Sequence, residues 1–211
     1  GDTWQGKTVT EVYTGFDTEK YDVTQNPSGD GALDNVTINT PWYDRRNDIL
    51  SVTVIDQGIE PASISFWFQN LTVCKCFSVS KLDISKCTDL HNLFANCYNM
   101  ISCDVSGFDT SNISNFTHAF IRCRSIQHID LSSWQTPKAN SIHQMFGGCT
   151  ELESIDFGSG WNTSNVIYWA LVFTNDAKLT LDCSNWDTSS MPETEAPESY
   201  EPSWNYRFNY R

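Results

Sequence analysis

Apolar positions along the middle of the chain return with one period. Phe94, Phe120 and Phe146 are 26 residues apart, each in a phrase ending in cysteine: L-F-A-N-C, A-F-I-R-C and M-F-G-G-C. The same step back falls on Phe68, and a step of 27 forward falls on Phe173. Five beats at one spacing predict a solenoid, and periods of roughly 20–29 residues belong to the leucine-rich-repeat range. Inside each unit the phrases C-D-V-S, I-D-L-S, I-D-F-G and L-D-C-S alternate apolar with polar and predict a short half-buried strand. Ahead of each Phe the pattern changes. Leu90, Leu93 and Phe94, then Phe116, Ala119 and Phe120, then Ile142, Met145 and Phe146 have helical spacing and predict a helical turn or two.

Neither element can bury its apolar side alone. Stacking the units supplies the core, with the strands forming a parallel sheet at about 4.8 Å spacing. The expected fold class is therefore α/β, a leucine-rich-repeat-like solenoid of short parallel strands and short helices. Strand and helix are joined by L-D-I-S-K (Leu82 to Lys86), F-D-T-S-N (Phe108 to Asn112), W-Q-T-P-K (Trp134 to Lys138), W-N-T-S-N (Trp161 to Asn165) and W-D-T-S-S (Trp186 to Ser190). Their Asp, Ser, Thr and Asn side chains are suited to capping the next helix and satisfying the turn.

The repeats set the domain plan. Residues 1–62 do not repeat and are read as a β-rich N-terminal cap, with an independent binding domain as the alternative. Val9 to Tyr13 and Ile49 to Ile55 are its candidate strands, and Asn26 to Gly31 is a loop. Residues 63–190 form the array. Residues 191–211 begin with three prolines and four glutamates in twelve positions, which excludes a regular helix or strand. The segment ends with Trp204, Tyr206, Arg207, Phe208, Tyr210 and Arg211, an aromatic and basic composition that interface cores enrich. The tail is expected to order on its own last repeat or on a neighbouring molecule.

The running pattern L-x-x-I-D-L-S-x-W-x-T-S-x-V-x-x-x-x-x-M-F-x-x-C resembles the BspA-like leucine-rich-repeat surface proteins. Residues 63–190 carry it, with departures at Cys74 to Cys76 and at Asp176, which replaces the ladder cysteine. The resemblance implies a secreted or cell-surface protein, often an adhesin for host proteins or other cells. It defines no single catalytic or binding residue.

Composition narrows the classes further. The net charge of −13 argues against a nucleic-acid partner, for which a basic footprint is expected. No run of eighteen apolar residues is present, so no membrane span is expected. The chain begins at Gly1, and the expectation is a leader removed upstream or a trimmed terminus. Any anchor is expected outside this chain or on another subunit. Asn35, Asn70, Asn112, Asn115 and Asn162 lie in N-x-S/T sequons, read as chance products of Thr-Ser-Asn turns.

Four kinds of polar or reactive side chain remain as candidates. Cys97, Cys123 and Cys149 share one register and are read as buried free thiols, behaving as small hydrophobes. A bridge from Cys74 or Cys76 to Cys87 is the alternative among the remaining cysteines. Cys74-x-Cys76 lacks zinc-knuckle spacing, and no cofactor or metal is expected. His91 and His143 share a register about two turns apart with Thr117 between them. His118 and His128 have no obvious partner, and solvated surface histidines are expected. Asp104, Asp130, Asp156 and Asp182 recur in the strand and predict an outward acidic column. Like charges so close repel, so either a cation or basic partner sits there, or water and neighbouring hydroxyls ease the column.

No G-x-S-x-G, H-E-x-x-H or P-loop pattern appears, and no enzyme is expected. The leading expectation is a non-enzymatic recognition module binding a protein or glycan on another cell or matrix. The second is self-association, as a subunit of an extracellular filament, sheath or particle held through the tail.

Overall fold

The computed structural model describes residues 40–184 and 186–190, and the backbone of Thr3–Trp4, Lys7–Thr8 and Tyr206–Arg207. The chain divides into two compact units, Gly1–Asp44 and Arg45–Arg211. In the first, β1 (Thr3–Trp4) pairs antiparallel with β2 (Lys7–Thr8). The expected strand at Val9 to Tyr13 and the loop at Asn26 to Gly31 lie outside the described residues.

The second unit carries the repeats as short parallel strands in small sheets. β3 (Ser51–Thr53), β4 (Cys76–Ser78) and β5 (Ser102–Asp104) form one three-stranded sheet. β6 (His128–Leu131) pairs with β7 (Ser154–Phe157), and β8 (Leu181–Asp182) with β9 (Tyr206–Arg207). Every pair in this unit is parallel, and the register follows the repeat: Phe77 faces Cys103, and Ile129 faces Ile155. The strand expected at Ile49 to Ile55 is Ser51–Thr53, and it pairs in parallel with β4. Inward residues such as Ile129 and Leu131 are buried while their neighbours are exposed, as period-two alternation requires.

The turn side departs from expectation. The stretches before each Phe are not helical; they are successive tight turns. Leu93, Ala95 and Cys97 donate their amides three residues back, to Leu90, Asn92 and Phe94. The alternate amides of Asn92, Phe94 and Asn96 donate to the next unit, to Thr117, Ala119 and Ile121, at 3.1, 2.9 and 2.9 Å. The pattern repeats from Phe116 to Cys123 and from Ile142 to Cys149. Half the amides have an acceptor in the neighbouring unit, and a helix would forfeit those bonds. Such turns need two left-handed residues per unit. Asn92 and Asn96 stand at φ 56° and 61°, His118 and Arg122 at 59° and 57°. Asparagine tolerates that region well, and the other side chains adopt it at some cost.

The Phe row lies just inside this wall. Phe68, Phe94, Phe120, Phe146 and Phe173 stack with centroids 5.4, 5.3, 5.8 and 5.6 Å apart, at interplanar angles of 21° or less. All five are buried. The Thr-Ser-Asn phrases and their W-Q-T-P-K counterpart link successive units. Thr110, Thr136 and Thr163 are buried, and their hydroxyls donate to the carbonyls of Gln135, Asn162 and Asp187 in the next unit. Asp109, Asn162 and Asp187 each accept the amide two residues on, so they cap turns rather than helices. Glycine is required at 107 and 158, where any Cβ would collide with the carbonyl oxygens of Ser80 and Ser132.

Candidate functional site

The strand face carries the recurring polar positions of the array. Its outward residues are serine, threonine, histidine, aspartate and, in β4, Cys76. Asp104, Asp130, Asp156 and Asp182 are all exposed, one per strand from β5 to β8. Asp130 lies directly opposite Asp156 across the β6–β7 ladder. Ser78 faces Asp104 at one end, and the backbone of Arg207 faces Asp182 at the other.

Three of the four carboxylates are tied to their own turns. Asp104 accepts the Ser80 and Ser106 hydroxyls, both at 2.7 Å, and the Ser106 amide at 3.2 Å. Asp130 accepts the Ser132 amide and Asp182 the Ser184 amide, both at 2.9 Å. The Ser106 hydroxyl, and after it Ser80, hold the Asp104 carboxyl below its ordinary range despite slight burial. Ser132 does the same for Asp130, and the opposing influence of Asp104 is the smallest contribution. At Asp130 hydrogen bonding thus outweighs like-charge repulsion. His128 stands before it, with Nδ1 2.9 Å from the Ser154 hydroxyl and Nε2 3.6 Å from Asp156. Beside the column, Ser106, Asp109, Thr110, Ser111, Ser133 and Gln135 line an open polar depression. Among the described residues no group of three or more His, Cys, Asp or Glu side chains is placed to hold a metal ion.

The tail residues divide. Tyr206 and Arg207 extend the parallel array by pairing with Leu181 and Asp182 of the same chain. Trp204, Phe208, Tyr210 and Arg211 lie outside the described residues.

The ladder cysteines face inward. The thiols of Cys97, Cys123 and Cys149 donate to the carbonyls of Phe68, Phe94 and Phe120, each one unit back, at 3.0, 3.2 and 3.1 Å. All eight cysteines, Cys74, Cys76 and Cys87 included, are free. Burial pushes the thiols of Cys97 and Cys123 well above their ordinary value, which keeps them protonated and unreactive. Asp176 follows in the same register and is 4% exposed. Burial pushes its carboxyl up to about 8, against the pull of the Cys149 and Gly148 backbone amides.

The histidines correct the sequence expectation. His118 is buried and His91 and His143 are half-buried; of the four only His128 is a surface residue. The His118 ring lies between the other two, 5.5 Å from each. The shared register of His91 and His143 is legible in the sequence. His118 belongs to a different register, which gives no sign that its ring lies between those two.

No helix among the described residues is long and apolar enough to cross a membrane. Residues 62–159 and again 153–197 match the family described as Mycoplasma protein of unknown function, DUF285. The matches span well over half of the 211 residues, and the chain belongs to that family. No curated protein and no solved structure matches it.

Proposed function

We propose that this chain is a non-enzymatic recognition module of the cell surface or the secreted space. In this reading it is a BspA-like solenoid that meets a protein or glycan through its strand face. The observation that carries the reading is the contrast between the two sides of each strand. The inner side is apolar, while the outer side repeats exposed carboxylates already fixed by Ser80, Ser106, Ser132 and Ser184. A surface of pre-ordered acceptors loses little entropy on binding, and its ligand is expected to present hydroxyl or basic donors. The parallel register of successive units supports the solenoid. The resemblance of the repeat phrase supports the surface location, and it is an argument from likeness, since a fold does not dictate a function.

The second reading, a filament or sheath subunit, needs the tail to reach a neighbour. The backbone of Tyr206–Arg207 pairs within its own chain, which favours a cap on the last repeat. One experiment separates the two. The full chain and the triple variant D104N/D130N/D156N are immobilised and probed with matrix proteins and a glycan array, while light scattering follows the free chain. Saturable binding by a monodisperse monomer, lost in the variant, supports recognition through the strand face. Polymerisation of the free chain, or binding equal in both proteins, overturns it.

A further inference from the structure

The turn wall holds a row of rings that the strand face does not use. Phe66, His91, His118 and His143 follow one another with centroids 5.1, 5.5 and 5.5 Å apart. His118 lies between the two other imidazoles, 5.5 Å from each. Thr117 occupies the His91 and His143 register in the middle unit, and its hydroxyl lies 2.6 Å from that of Ser141. The histidine rings therefore belong to three successive units and tie their turns together.

We propose that this row is an acid-released latch, which holds the turns of residues 90–97, 116–123 and 142–149 together while its imidazoles are neutral and lets them part when a proton enters. The geometry selects the neutral form. His118 Nε2 lies 2.9 Å from the side-chain oxygen of Gln144. With that oxygen as acceptor, Nε2 carries the proton and Nδ1 keeps a lone pair. Nδ1 is enclosed and has no hydrogen-bond partner. A second proton would create a buried cationic N–H without an acceptor.

The surrounding charges give little relief. His91 and His143 flank His118, so further protons would place like charges 5.5 Å apart. Arg122 faces His118 with the same sign as a proton. Asp89 opposes them by facing His91, yet one of its oxygens already accepts the His91 amide at 2.7 Å. Burial, followed by His91 and His143, pushes His118 down to about 4, and burial also lowers His91.

The direction of the pH effect follows. An unfolded histidine takes its proton near about 6.5. Between that pH and about 4 the open form binds a proton that the closed row refuses. Closure is fully stable above this window and weakens as the pH falls through it. Phe94, Phe120 and Phe146 sit on the same turns, two or three residues beyond the histidines, so release uncovers apolar surface.

The repeat supplies its own control residues. Asn92 occupies the His118 register one unit earlier, and Thr117 occupies that of His91 and His143. Urea unfolding of the full chain, as wild type, H118N and H91T/H143T, is followed from pH 7.5 to 4.5. Over that range the wild-type unfolding constant is expected to rise about a hundredfold more than that of H118N, with H91T/H143T between them. Equal pH dependence of wild type and H118N overturns the latch. If H118N does not fold, proton NMR of the wild-type imidazoles decides. A His118 signal unmoved down to pH 5 in the folded chain supports the latch, and one titrating near pH 6.5 overturns it.

Discussion

Asp130 and Asp176 are aspartates of the same array, one on the strand face and one on the turn wall. Asp130 is exposed, bonded to Ser132, and held below the usual carboxylate range. Asp176 occupies the register of Cys97, Cys123 and Cys149, is 4% exposed, and has its carboxyl pushed up to about 8 by burial. The histidines divide in the same way. His128 on the strand face reaches the Ser154 hydroxyl and Asp156, whereas His118 in the wall is pushed down to about 4. The period decides where along the unit a residue falls. The side of the unit it falls on decides whether water or the core sets its charge.

Three substitutions test this contrast. The largest effect is expected from F120A. Phe120 is fully buried and stacked between Phe94 and Phe146. Its truncation leaves a cavity in the middle of the row and should cost about 3–5 kcal/mol in urea unfolding. A loss below about 1 kcal/mol would mean that the row is loosely filled and the wall is not the structural side.

Next comes D176C, which restores the thiol of the preceding units. The folded chain holds the Asp176 proton up to about pH 8, while the unfolded chain gives it up near the ordinary carboxyl value of 3.8. Stability contributed by this group is therefore full at low pH and lost as the pH rises through that window. The variant removes the loss, so its advantage should grow from pH 5 to pH 8 and reach on the order of a few kcal/mol. An advantage independent of pH would show that Asp176 is ionised in the folded chain.

The smallest effect is expected from D130N. The amide oxygen can still accept the Ser132 amide, and the lost charge was exposed. Stability should stay within about 0.5 kcal/mol of wild type. A larger loss in thermal unfolding would place the acidic column among the structural elements rather than the recognition surface.

Much of the strand side is legible in the order of residues alone. I-D-L-S and its relatives alternate because one face is wet, and β6 and β7 show that alternation. The turn side differs from the helical expectation for a physical reason. Leu90, Leu93, Phe94 and Cys97 have helical spacing, and all four are buried. A chain of tight turns with left-handed residues at Asn92 and Asn96 brings the same positions to one side. Spacing alone does not distinguish the two, because it records which side chains go inward and not where the amides find acceptors. The asparagines in L-H-N-L-F-A-N-C are the available signal, since they suit positive φ.

The period, the inward row of Phe68, Phe94, Phe120, Phe146 and Phe173, and the outward row of aspartates are all legible in residue order. These follow from side-chain polarity repeated at a constant step. The backbone of the turns, the contact of His118 with Gln144 and the surroundings of Asp176 came from packing alone. Each of those depends on an atom one unit away, such as the carbonyl that takes the Asn92 amide or the Gln144 oxygen beside His118. Such partners exist only once neighbouring units are laid against each other.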